Sequence, residues 1–154
     1  MNRRIILSAL TLIVLATITA LGSPSAAAAE LSDYRWTHRP LLLFAPTDED
    51  PQLVETLSRI DASRCAFLER GMVIGIVLTE GQSTLAGQPV NAVESQRLSE
   101  QYAIGENAFT ALLIGKDGGE KLRVDEVPDL STIYAVIDGM PMRSGEMRAD
   151  SSRC

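Results

Sequence analysis

Residues 38–57 read HRPLLLFAPTDEDPQLVETL, and this stretch decides the fold. Positions 40–45 form an apolar run without alternation, the pattern of a central strand covered on both faces. Positions 46–50, Pro-Thr-Asp-Glu-Asp, follow as a short acidic loop. Pro51 suits the first turn of a helix, where a missing N–H costs nothing, and the acids just before it complement the positive end of the helix dipole. Leu53, Leu57 and Ile60 mark one face of that helix. Strand, loop and helix meet here without a cysteine in the loop.

Working outward, the helix runs or kinks on to Arg70 and Gly71 ends it. MVIGIVLT, 72–79, is a second buried strand rich in branched residues. Positions 80–89 are a connection containing Gly and Pro. Asn91 followed by Glu94 is a capping-box-like start for a helix through about Ala103. FTALLIGKDGGEKLRV, 109–124, places two strand-like halves around Lys116-Asp117-Gly118-Gly119, a hairpin signal. Asp129 can cap a last helix containing Ile133, Tyr134 and Ile137, which Gly139 and Pro141 stop. The order is strand, helix, strand, helix, hairpin, helix. The expected fold class is therefore α/β and thioredoxin-like, a central mixed sheet with flanking helices. In that layout the loop at 46–50 is where an active protein carries its reactive thiol.

The first 29 residues stand apart. Arg3 and Arg4 precede an apolar run at 5–21, then Gly22-Ser23-Pro24-Ser25 and the small tract Ala27-Ala28-Ala29. This reads as a secretory signal peptide cut before Glu30, leaving a single domain over 30–154 with a short C-terminal tail. An uncleaved anchor is the alternative, and the run is short for a membrane span. Of the 14 Lys and Arg, two leave with the leader, so 12 remain against 20 acids, a net charge near −8. That balance disfavours sequence-independent nucleic-acid binding and adhesion to anionic lipid. The expected location is periplasmic or extracellular, without stable membrane insertion once the leader is removed.

Three phrases together carry a more specific likeness: YRWTHRPLLLFAP, LERGMVIGIV, and LLIGKDGGEKLR with IDGMPMRSGEMR. They resemble the domain-of-unknown-function 4174 (DUDES) family of small exported bacterial proteins and animal sushi-repeat matrix proteins. The resemblance covers nearly all of 31–148. It implies a peroxiredoxin- or thioredoxin-like fold without the usual catalytic cysteines, and brings no established activity with it. Two departures from active thioredoxin-like enzymes agree. The loop lacks C-x-x-C or a peroxidatic Cys, and no proline stands at Phe109-Thr110, just before the hairpin.

The remaining candidates are few. The possible binding rim, at the vacant active site, comprises Trp36 with Pro46, Thr47, Asp48, Glu49, Asp50 and Pro51, and Phe109 and Thr110. Trp36, beside Tyr34 and Arg35, is either a lid on the core or an anchor for a partner. Cys65 lies about 15 residues past the thiol position, on the order of 20 Å along a straight helix, too far to gain from the helix N-terminus. Cys65 and Cys154 are a candidate disulfide, worth roughly 4–5 kcal/mol in the chain-entropy view. Met140, Met142 and Met147 are weak Cu(I) ligands against the commoner role of methionine as core filler. Asp48, Glu49 and Asp50 lack the ligand spacing of a calcium loop. His38 is the only histidine, which excludes histidine-rich zinc sites, and no G-x-S-x-G elbow offers it a serine. Gly115, Gly118 and Gly119 belong to the hairpin turn rather than to a phosphate loop.

No catalytic residue, metal or cofactor is expected. The reading is an exported, non-catalytic binding module whose partner the sequence does not identify, another exported protein being one candidate. A redox protein using Cys65 or Cys154 is the alternative, and methionine-based Cu(I) binding the second.

Overall fold

The computed structural model describes residues 28–149. The expected signal peptide, but for its last two residues, lies outside them, as does Cys154. Ala29, the last residue of that expected leader, is buried and donates its N–H to the Pro89 carbonyl.

Six strands form one sheet. A 3-10 turn (Leu31–Tyr34) leads to β1 (Arg39–Ala45), α1 (Pro51–Ala62), α2 (Arg64–Glu69) and β2 (Met72–Leu78). Two-residue strands β3 (Thr84–Leu85) and β4 (Gln88–Pro89) precede α3 (Ala92–Gln101), and β5 (Thr110–Ile114), β6 (Glu120–Val124), α4 (Leu130–Asp138) and α5 (Pro141–Ala149) follow, the last of the elements among the described residues. The spatial order is β4-β3-β2-β1-β5-β6. β1 and β2 are parallel, from Arg39↔Met72 to Ala45↔Leu78, whereas β5 runs antiparallel to β1 and β6 antiparallel to β5. Around central β1 this is the thioredoxin-like arrangement expected from the sequence.

The unbroken apolar run of β1 follows from its place. Leu41 and Leu43 pack on one face with Leu53, Ile60, Phe67, Ile133 and Ile137. Leu42 and Phe44 pack on the other with Leu85, Val90, Leu98 and Tyr102. Alternate side chains serve opposite layers, so every position is apolar. Gly75 in β2 is required by close approach: a Cβ there would stand 2.5 Å from Leu42 Cδ2 and 3.0 Å from Leu85 Cδ1.

Of the two courses open to the first helix, running on or kinking before Arg70, it takes the second, breaking at Ser63, whose hydroxyl donates to the Arg59 carbonyl and meets the Tyr134 hydroxyl at 2.7 Å. Two local expectations change. The connection at 80–89 contains a hairpin, turned by Ala86 and Gly87 at φ 49° and 78°, the paired positive values of a tight I′-like turn. Pro141 begins α5 rather than only ending α4, as a proline at N1 can. The capping box of α3 forms by half. Asn91 accepts from the Glu94 N–H at 2.8 Å, but the Glu94 carboxylate turns to Arg97 and the Leu31 N–H. Among the described residues no helix is long and apolar enough to cross a membrane.

Candidate functional site

The two ends of β1 differ in kind. At its carboxyl end the loop at 46–50 lies against the loop at 79–83: Thr79 and Glu80 donate their N–H groups to the carbonyls of Ala45 and Pro46 at 3.1 and 2.9 Å. Asp50 caps α1, its Oδ1 accepting from the N–H groups of Gln52 and Leu53 at 3.0 and 3.1 Å. Beside these loops opens a cleft of about 480 Å³, floored by Phe44, Leu78 and Val90 and walled by Ser95 of α3 and Glu106. Ser83 and Gln82 brace its wall, Ser83 Oγ accepting from the Leu78 N–H and Gln82 Nε2 donating to the carbonyls of Ser83 and Val90. Ser95 is only 9 % exposed. Its carbonyl takes the Ser99 hydroxyl, while among the described residues its own hydroxyl has no partner.

Charge at this end has one sign. The loops at 46–50, 79–83, 104–109 and 125–129 carry Asp48, Glu49, Asp50, Glu80, Glu106, Asp125, Glu126 and Asp129, without a Lys, Arg or His. Among the described residues no group of three or more His, Cys, Asp or Glu is placed to hold a metal ion. The cleft is lined by hydroxyls and amides, with Glu106 as its one carboxylate.

The sequence-predicted rim is only partly assembled. Asp48 and Glu49 are exposed, with Pro46, Thr47 and Asp50 half-buried beside them. Phe109 and Thr110 reach the same end but are buried. Phe109 joins the core, and the Thr110 hydroxyl donates to Asp125 Oδ1 at 2.8 Å. They support the rim without forming its surface. Trp36 is elsewhere: it precedes β1 while the loop at 46–50 follows it, so the strand separates them by about 20 Å. There it is 60 % exposed, at φ 68°, with the Arg35 guanidinium 5.3 Å from its ring centroid. Cys65 is exposed on α2, also toward the amino end of the sheet, and its expected partner Cys154 is outside the described residues. Met140 packs against the core under α4, whereas Met142 and Met147 are exposed on α5, so the three thioethers do not share one environment. His38 stacks edge-on against Tyr34 at the amino end.

The amino end holds a network that local sequence patterns do not reveal. Arg39, 1 % exposed, binds Glu146 of α5 through two nitrogens at 3.0 and 3.1 Å, and Lys116 of the hairpin turn joins the same carboxylate at 2.7 Å. Arg143 of α5 reaches Glu69 and Asp138, and Arg70 donates to Asp138 at 2.6 Å while lying over the Tyr134 ring. Burial pushes the carboxyls of Glu146 and Asp138 up, but hydrogen bonds from these cations and their charge outweigh it, so both titrate below the ordinary carboxylate value. The polar face of α5 is thus held by ion pairs from β1, the hairpin, α2 and α4.

Comparisons with known proteins agree with this architecture. The model of a family described as a domain of unknown function, DUF4174, matches residues 30–146. Coiled-coil domain-containing protein 80 of Danio rerio is 25 % identical over 138 residues, covering 79 % of this chain. The chain spans 16 % of the length of that relative. Among solved structures, reduced 2-Cys peroxiredoxin of Plasmodium vivax superposes with a TM-score of 0.55 at 15 % identity, over 75 % of this chain and 84 % of that one. Thioredoxin peroxidase I of Plasmodium yoelii gives 0.51 at 19 % identity, over 79 % and 82 %. At such identities the likeness speaks to fold alone.

Proposed function

Because the chain belongs to the family of the domain of unknown function DUF4174 and carries a thioredoxin-like fold, we propose that it is an exported, non-catalytic binding module whose ligand enters the cleft at the carboxyl end of the sheet. One observation carries this reading. A thiol enzyme of this fold uses the helix N-terminus after the first strand to stabilise a thiolate. Here the backbone N–H groups of that turn already serve the Asp50 carboxylate. The position is occupied by a group with no nucleophilic role, and an open cleft adjoins it. Ligands of open α/β sheets gather outside the carboxyl ends of the strands, which agrees with this placement. Export rests on the charged, apolar and small-residue segments of the leader.

The test is turnover. Protein recovered from the exported fraction, with its N-terminus verified by intact mass, is assayed for reduction of peroxide and of a disulfide substrate, beside a Cys65→Ser, Cys154→Ser double variant. Neither protein is expected to exceed the uncatalysed rate. Enzymatic turnover by the wild type that disappears in the double variant would establish a thiol enzyme and remove the proposal.

A further inference from the structure

We infer that the occupant of the cleft is a cationic, extended peptide segment, one Lys or Arg side chain entering beside Glu106 while its backbone meets the polar wall; this rests on the reading of the cleft as a binding site. The first ground is the sign of the charge. Of the eight carboxylates in the four loops at this end, Asp50 and Asp129 are spent on helix N-termini. Of the other six, Glu106 lines the cleft, Asp48, Glu49, Glu80 and Glu126 lie in the loops beyond it with no loop cation, and Asp125 accepts from Thr110 and lies within the charge of Arg123 on β6. A surface of one sign around a concave opening raises the local concentration of the opposite charge and speeds its arrival. An anionic ligand would instead meet repulsion from Glu106 at the wall and from the loop acids beyond it.

The second ground is the cleft itself. Ser95, more than nine-tenths buried, lines the cleft, and its hydroxyl, without a hydrogen-bond partner among the described residues, is not sealed from solvent, so it is open to a ligand there. Asn91, whose Oδ1 caps α3, retains its amide N–H₂ on the same wall. A hydroxyl and an amide together complement the alternating donors and acceptors of peptide backbone. The apolar floor of Phe44, Leu78 and Val90 suits the methylene stem of a Lys or Arg, whose head stays with the carboxylates. A bare divalent ion does not fit, because among the described residues the carboxylates do not converge on one point.

The experiment titrates the full mature chain, followed by backbone NMR, with oligolysine, an uncharged Gly-Ser peptide of equal length, and spermidine. Oligolysine is expected to shift the amides of Thr79, Ser95 and Glu106 saturably, to weaken as salt rises, and to leave the Trp36 indole, about 20 Å away along β1, unmoved. Glu80→Gln and Glu106→Gln, both at exposed positions, are each expected to weaken it by about two- to fivefold. Equal response to the Gly-Ser peptide would reject the cationic class and keep the binding cleft. Equal response to spermidine would reject the peptide in favour of a polyamine. If no probe moves the cleft amides at millimolar concentration, both the inference and the cleft reading fall.

Discussion

The two ends of the sheet handle charge in opposite ways. At the amino end the buried Arg39 and Arg143 and the half-buried Lys116 and Arg70 each reach a carboxylate among Glu69, Asp138 and Glu146, although the Nε atoms of Arg39 and Arg70 have no hydrogen-bond partner among the described residues. At the carboxyl end Asp50 and Asp129 cap helices, while Asp48, Glu49, Glu80, Glu106 and Glu126 are exposed with no cation in their loops. The first arrangement fixes structure, since desolvated charges hold geometry only when each keeps its partner. The second leaves electrostatic potential unspent, and it adjoins a cleft with Glu106 on its wall. A strand that presents both ends to its surroundings has one used to close the fold and one left open to a ligand.

Breaking the matched end has the largest expected effect. Glu146→Gln leaves Arg39 buried with a neutral neighbour. Removing one member of a fully buried pair costs about 3–5 kcal/mol. Because Glu146 is itself 28 % exposed and glutamine still accepts one hydrogen bond, about 2–3 kcal/mol is expected here, read as a lower denaturation midpoint at unchanged slope. Glu55→Gln is the control. Its partner Arg59 is exposed, and the change should stay within about 0.5 kcal/mol. Equal losses in the two variants would show that the amino-end network contributes no more than an ordinary surface pair.

Acid sharpens the same contrast. Glu146 and Asp138 titrate below their ordinary values of 4.5 and 3.8 when folded. A depressed folded pKa contributes stability above the unfolded value and loses it as pH falls through the folded one. The ion pairs of α5 are therefore intact at neutral pH and fail only below about pH 4.5. Hydrogen exchange should show α5 amides losing protection in that window before those of β1 and β5, which are held by apolar packing. Loss of α5 and sheet protection together would mean that the helix is not held by charge.

This contrast explains what was legible in the chain. The apolar runs of β1, β2 and β5, the caps at Asp50, Asn91 and Asp129, and the glycine turn of the hairpin are local signals, and each element stands where its signal placed it. The acidic loop after β1 was equally plain. The position of the break at Ser63 was not, because it involves Tyr134, 71 residues away. Nor was α5: its Arg143 and Glu146 look like ordinary surface charges until Arg39, separated by 107 residues, arrives under them. Ser95 gave no signal beyond a helical serine, since its interest comes from a cavity formed by three other segments. Trp36 was grouped with the rim on sequence proximity to β1, and a strand has two ends.

The smallest effect belongs to the open end and tests it most directly. Glu80→Gln and Glu106→Gln remove charges from a surface of like charge, so folding loses no attraction and is relieved of some repulsion. Each variant is expected to melt at the same temperature as the wild type or slightly above it. Any gain should vanish in about 1 M salt, where the screening length falls to roughly 3 Å. A drop of several degrees would mean that one of these carboxylates already has a structural partner, and the acidic end would then resemble the amino end rather than oppose it. The peptide titration with the same variants should move in the opposite sense, affinity falling while stability holds or rises. Natural chains retain such mutually repelling charges when a ligand needs them, which is the trade-off between stability and function that the open end predicts.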